Sequence, residues 1–148
     1  MMTITNEWTY NDNLFTSEQT EGFYGFVYLI TNTDNNRKYI GRKYFTKAKT
    51  TQLKGKKKRS RVGSGWEDYW GSNKVLVEEI AAQGKEKYRR EILHLCKSRS
   101  ECSYMETFEI FNRSALLSES YYNSWVTCKI HKSHVIGKID GTKTNSKQ

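Results

Sequence analysis

The 148-residue chain lacks any apolar run near the roughly 18 residues that a membrane span needs. Its first residues, Met1-Met2-Thr3-Ile4-Thr5-Asn6-Glu7, carry neither the basic nor the apolar region of a secretory signal. Three cysteines (Cys96, Cys102, Cys128) are an odd count and too sparse for a disulfide scaffold, which predicts free thiols in a reducing compartment. Together these absences predict a soluble, intracellular protein without a membrane partner. A further absence is local: from Arg42 to Arg61 there is no acid. That stretch holds Arg42, Lys43, Lys47, Lys49, Lys54, Lys56, Lys57, Lys58, Arg59 and Arg61, and without them a chain of net charge +9 is close to neutral. Basicity confined to one segment points to a located polyanion contact. A solvated loop or a localisation tag is the plainer account of the same run.

The length suits one domain, and 36 % hydrophobic with 14 % aromatic residues suits a core built largely from Tyr, Trp and Phe. Residues 1–21 are polar and acidic with scattered aromatics (Trp8, Tyr10, Phe15), an arm that either wraps the domain or frays. The domain is read over 22–136. Phe26, Tyr28 and Ile30 face one way and Val27, Leu29 and Thr31 the other, which predicts a strand buried on both sides with helices above and below. Asn32-Thr33-Asp34-Asn35-Asn36 is turn chemistry, and Lys38-Tyr39-Ile40-Gly41 is the return strand. The basic insertion 42–65 shows no clear periodicity, ends in Gly63-Ser64-Gly65, and reads as a long loop. A helix follows, with Ser72 as N-cap, Leu76, Val77, Ile80 and Ala81 as its apolar face and Gly84 to end it. Tyr88 to Cys96 alternates as a third strand. A second helix is expected from about Ser100 to Leu117, its core stripe formed by Tyr104, Phe108, Phe111 and Ala115. Tyr121 to Ile136 is aromatic and β-branched and is expected to pack back, leaving 137–148 as a loose tail.

Tyr28 and Tyr39 fall on neighbouring strands of one hairpin, where paired side chains meet. Phe26-Val27-Tyr28 followed by Tyr39-Ile40-Gly41 resembles the signature of the GIY-YIG nuclease family, although the first element here does not read Gly-Ile-Tyr. The order hairpin, loop, helix, strand, helix and then Tyr121-Tyr122-Asn123 extends the resemblance over about residues 25–125. It implies an α/β (α+β) fold, a small three-stranded antiparallel sheet flanked by helices. It also implies hydrolysis of phosphodiester bonds in double-stranded DNA with one Mg²⁺ or Mn²⁺. By the same resemblance Glu106 is the metal-binding glutamate, Asn123 closes the site, and Tyr28 beside Tyr39 orients or deprotonates the attacking water. Helical geometry alone sets Glu106 roughly 200° round from Tyr104, off the apolar stripe. The family's arginine has no regular counterpart: Arg42 follows the motif directly, and Arg61, with Arg59 near it, is the preferred candidate. Tyr69 stands near a position where some members place a histidine. Arg42, Lys43, Lys54, Lys56, Lys57, Lys58, Arg59 and Tyr69 are the expected DNA contacts, phosphate-directed and salt-sensitive.

The style of the chain resembles small, free-standing, phage-encoded homing-type members, for which the host cytoplasm would be the compartment. The alternative from another class is a non-catalytic DNA-binding protein that keeps the nuclease fold. A zinc-stabilised domain using Cys128, His131 and His134 ranks below both.

Overall fold

The computed structural model describes residues 6–139. Along them run β1 (Trp8–Tyr10), β2 (Asn13–Leu14), β3 (Gly25–Asn32), β4 (Lys38–Tyr44), β5 (Thr46–Leu53), β6 (Lys56–Gly63), α1 (Lys74–Gln83), β7 (Tyr88–Cys96) and α2 (Arg99–Asn112), with short 3-10 turns between. The α/β class fits, and β3 pairs antiparallel with both β4 and β7. The expected three-stranded sheet is nevertheless only one side of a larger one, whose order is β2-β1-β7-β3-β4. The added strands come from the acidic N-terminal stretch, with β1 lying parallel to β7. Burial explains the addition. Trp8 and Phe15 are 2 % and 3 % exposed in the main core, and the Trp8 indole donates to the Trp66 carbonyl at 2.9 Å. The parts of the expected N-terminal arm and C-terminal tail at 1–5 and 140–148 lie outside the described residues.

Every residue of β3 is buried, and its alternation divides the interior in two. Phe26, Tyr28 and Ile30 join Trp8, Trp66, Leu76, Ile80 and Tyr88 on the α1 side. Val27 and Leu29 join Ile40, Cys96, Cys102 and Ile110 on the α2 side. Asn73, rather than Ser72, caps α1 by accepting from the Leu76 amide at 3.0 Å. On α2 the expected stripe is rotated: Phe108 and Phe111 are 45 % and 62 % exposed, while Cys102, Glu109 and Ile110 are buried. Glu109 is tolerated there because its carboxylate takes His94 Nε2 at 2.6 Å and Arg113 Nε at 2.7 Å. The helix also stops earlier than expected, at Asn112, before Ser114 turns left-handed at φ +54°.

The basic insertion is the largest departure. It is an antiparallel ribbon, β5 on β6, in continuous register from Thr46↔Gly63 to Leu53↔Lys56. Lys54 and Gly55 make its turn with φ of +50° and +77°, the sign that matches strand twist in two-residue hairpin loops. Residues 47–61 are all exposed, so the ribbon projects with both faces free.

One carboxylate ties α1 to the sheet. Glu79 Oε1 accepts from Tyr122 Oη at 2.6 Å, Tyr88 Oη at 2.9 Å and Asn32 Nδ2 at 2.9 Å. Burial raises its pKa, but these donors outweigh that and leave it below the ordinary value. Glu79→Gln is expected to lower stability by about 1–2 kcal/mol at neutral pH, measured by urea unfolding. Because the folded pKa is depressed, this contribution is present above the usual carboxylate range and is lost as pH falls through the folded value. The difference between wild type and variant therefore closes in acid.

Candidate active site

β4 is an edge strand, and its alternation sends Tyr39 and Gly41 toward α1 while Ile40 and Arg42 face α2. The C-terminal segment covers this edge. The Asn123 carboxamide donates from Nδ2 to the Ile40 carbonyl at 2.8 Å and accepts the Ile40 amide at 3.0 Å. Tyr122 N donates to the Lys38 carbonyl at 2.7 Å alongside it. Unpaired edge groups are thus satisfied by an amide side chain standing in for a strand.

On the α2 side, Arg42 Nη1 meets Glu106 Oε1 at 2.5 Å, and Arg42 Nε donates to Tyr44 Oη at 3.3 Å. The Glu106 side chain is 15 % exposed. Burial pushes its pKa above the ordinary carboxylate value, although the Arg42 charge and hydrogen bond pull the other way. On the α1 side, the Tyr39 hydroxyl shares a 3.1 Å hydrogen bond with Ser72 Oγ. Burial raises the Tyr39 pKa, with Glu106 and Tyr69 adding to the rise.

Gly41 joins the two sides. A Cβ there would overlap the Tyr28 hydroxyl and approach the Tyr39 ring to 3.0 Å. The space left by the missing side chain holds the end of Tyr28, whose ring sits 6.2 Å from that of Tyr39 and 5.9 Å from that of Tyr69. The Tyr28 hydroxyl is fully buried and, among the described residues, makes no hydrogen bond of ordinary geometry. Burial drives its pKa well above the usual tyrosine value, and Tyr69, Tyr39 and Glu106 push it further.

A cleft of about 310 Å³ opens where these elements meet, lined by Tyr39, Arg42, Ser72, Asn73, Glu106 and Asn123 and closed by residues 124–127. Three of the sequence-predicted catalytic residues, Tyr39, Glu106 and Asn123, line it. Tyr28 lies behind its wall, with Tyr69 beside it. Arg61 is elsewhere, at the foot of the ribbon, donating from Nε and Nη2 to Thr46 Oγ1 and the Thr46 carbonyl at 2.8 and 2.9 Å. Arg42 is the arginine in the cleft. Lys43 turns to the α1 side, its Nζ 4.2 Å from the Tyr69 ring centre. Lys54, Lys56, Lys57, Lys58 and Arg59 stand along the exposed ribbon.

Ser72 and Asn73 were not expected in the cleft, and only their position before α1 could have flagged them. The same holds for Trp125, which is 73 % exposed on the cleft wall. Chemically, the described residues of the cleft offer one carboxylate, the Arg42 guanidinium, hydroxyls and amides, and among them no histidine or cysteine. Such a hard oxygen set suits a divalent ion that keeps water in its shell. Among the described residues no three His, Cys, Asp or Glu side chains gather as a metal cage, Cys128, His131 and His134 included.

Residues 8–126 match a family model described as "Putative endonuclease segE, GIY-YIG domain". Among curated proteins, the segE protein of Enterobacteria phage T4 is 34 % identical over 100 residues, which cover 68 % of this chain. The match spans only 40 % of that protein's own length. No solved structure matches the chain.

Proposed function

The chain belongs to the GIY-YIG family in its segE form, and from that premise we propose that it is a DNA endonuclease that hydrolyses phosphodiester bonds with one divalent cation. The observation that carries this is the Arg42–Glu106 pair facing Tyr39 and Asn123 in one cleft. Arg42 would be the counterpart of the family's arginine, whose absence would instead favour a binding-only protein.

Family nucleases generally use divalent metal ions. Here Glu106 would hold Mg²⁺ or Mn²⁺, which would neutralise charge on the phosphate and stabilise the leaving 3′-oxygen. Arg42 supplies a fixed positive charge beside the same phosphate, its planar guanidinium suited to non-bridging oxygens. Tyr39, anchored by Ser72, presents a hydroxyl to the cleft and orients the attacking water. The Tyr28 proton stays in place, since every neighbour raises its pKa, so Tyr28 remains a neutral donor whose hydroxyl would take a partner only once DNA and water occupy the cleft. Asn123 holds the backbone of the motif strand at Ile40. The ribbon adds contacts to the phosphate backbone of double-stranded DNA. Among the described residues no helix is long and apolar enough to cross a membrane, and the proposed setting is intracellular, in the host cytoplasm if the chain is phage-encoded.

Supercoiled plasmid incubated with Mg²⁺, Mn²⁺ or EDTA tests the proposal directly. Nicked or linear product with either metal and none in EDTA is expected. Tyr28→Phe is expected to lose most of that cleavage while unfolding at the same or a higher urea concentration, because it removes a buried hydroxyl that lacks a partner. Intact plasmid in every lane would sink the proposal, and full activity in Tyr28→Phe would remove this tyrosine from it.

A further inference from the structure

The ribbon's register sorts its cations by chemistry. Paired residues share a face, so Thr46, Ala48, Thr50 and Gln52 of β5 lie with Lys57, Arg59 and Arg61 of β6. The opposite face carries Lys47, Lys49, Lys56 and Lys58. Both ribbon arginines and the ribbon's one glutamine thus stand on one side, among short Thr and Ala side chains. The other side holds four lysines. Arginine and glutamine are the side chains that make two-point contacts to purine edges, and Ala or Thr leaves room for close approach or touches a thymine methyl. Lysine is a point charge on a long stem, suited to phosphates.

Resting on the DNA-endonuclease reading above, we propose that the β5–β6 ribbon enters the major groove of duplex DNA and reads base edges with Thr50, Gln52, Lys57 and Arg59. Size permits it: a two-stranded ribbon, with strands about 4.8 Å apart, fits a groove about 12 Å wide. Charge favours it, since the exposed stretch 47–61 contains no acid. Lysines of the outer face reach round the ribbon's edges to the flanking phosphates. A-form RNA closes the same groove to side chains.

The reading face also points to the cleft. Arg61, tied to Thr46 at its foot, lies over the Tyr24 ring at 5.5 Å, and Tyr24 packs edge-on against Tyr44 at 4.9 Å. Tyr44 Oη takes Arg42 Nε, and Arg42 meets Glu106. Duplex laid on the arginine face therefore continues toward the side of the sheet where Glu106 stands, and the site of cutting falls at a fixed offset from the bases read.

The test is selection from a random-core duplex library by the full chain in EDTA, followed by binding to the selected duplex and to a scrambled one. Wild type is expected to enrich a motif. Arg59→Lys, which keeps the charge, is expected to weaken binding to that motif about ten- to a hundredfold and to leave the scrambled duplex unchanged. 7-Deazapurines in the motif, which lack the major-groove N7, should reproduce the loss for wild type. Lys47→Ala with Lys49→Ala should weaken both duplexes alike and lower the log–log salt slope by about two. Failure to enrich a motif, a motif indifferent to Arg59→Lys or to 7-deazapurines, or tighter binding of an RNA duplex would overturn the proposal. Because binding is read in EDTA, an enriched motif without cleavage in any metal would instead overturn the endonuclease reading alone.

Discussion

Glu106→Gln is expected to lower metal-dependent plasmid cleavage by about a hundredfold or more while leaving the protein folded. Among the described residues Glu106 is the one carboxylate lining the cleft, so none of these neighbours can replace it as an anionic oxygen donor. Glutamine keeps its shape and can still face Arg42, which retains its bond to Tyr44. Burial holds the Glu106 pKa above the ordinary value, so the folded state favours the neutral form. What this group adds to stability is present below the unfolded pKa and is lost as pH rises through the folded one, hence a neutral amide costs nothing through charge near pH 7. Cleavage depends on the opposite form. Activity should fall as pH drops through the Glu106 pKa, which burial raises from the ordinary carboxylate value, and the residual activity of the glutamine variant should show no such limb. Undiminished cleavage by Glu106→Gln across that range would assign the metal to other groups.

Gly41→Ala is the second change with a large expected effect, and it acts on both stability and cleavage. The new methyl would overlap the Tyr28 hydroxyl and stand 2.5 Å from the ring carbon bearing it. Tyr28 cannot retreat: its ring is wedged by Trp8 at 5.4 Å and Phe26 at 6.0 Å. Overpacking of this kind costs about 1–3 kcal/mol, readable as a lower urea midpoint. Cleavage should fall as well, because Tyr39 sits on the same strand within reach of the added methyl. The double variant Gly41→Ala/Tyr28→Phe removes the overlapping oxygen and should recover part of the stability but none of the activity. An alanine variant as stable and active as wild type would mean that the tyrosines have freedom their packing denies.

How much of this was legible in the sequence follows from how each element is stabilised. β3, β4 and β7 bury apolar side chains in alternation, and their strand pattern is written in Phe26, Tyr28, Ile30, Ile40 and Ile92. β1 has three residues and joins the main sheet through β7, a partner some 80 positions away that local pattern cannot supply. The ribbon was hidden by its own chemistry: with lysines on both faces, no apolar–polar alternation marks the strands. α2 misled because its exposed phenylalanines outweigh its buried Cys102 and the paired Glu109. For the site, Glu106 and Asn123 were carried by resemblance, and the structure brings both into the cleft. Arg42 was available to the same alternation that places Ile40, since residues two apart on a strand share a face. Preferring Arg61 meant treating the intervening segment as a loop free to swing back, which a ribbon in register is not.

The same register bears on how the segment tolerates change in length. It joins the domain at Phe45 and Ser64, where Ser64 N donates to the Phe45 carbonyl at 3.1 Å. Removing or adding two residues in both strands at a time would shorten or extend it with the remaining pairs intact and each side chain on its present face. One residue gained or lost in β6 between Arg59 and Arg61 would slide the pairing and carry Arg59 to the side now held by lysine. Within a lineage of such chains, length changes of two residues per strand would then conserve the target, and a lone codon gained or lost there would redirect it in one step.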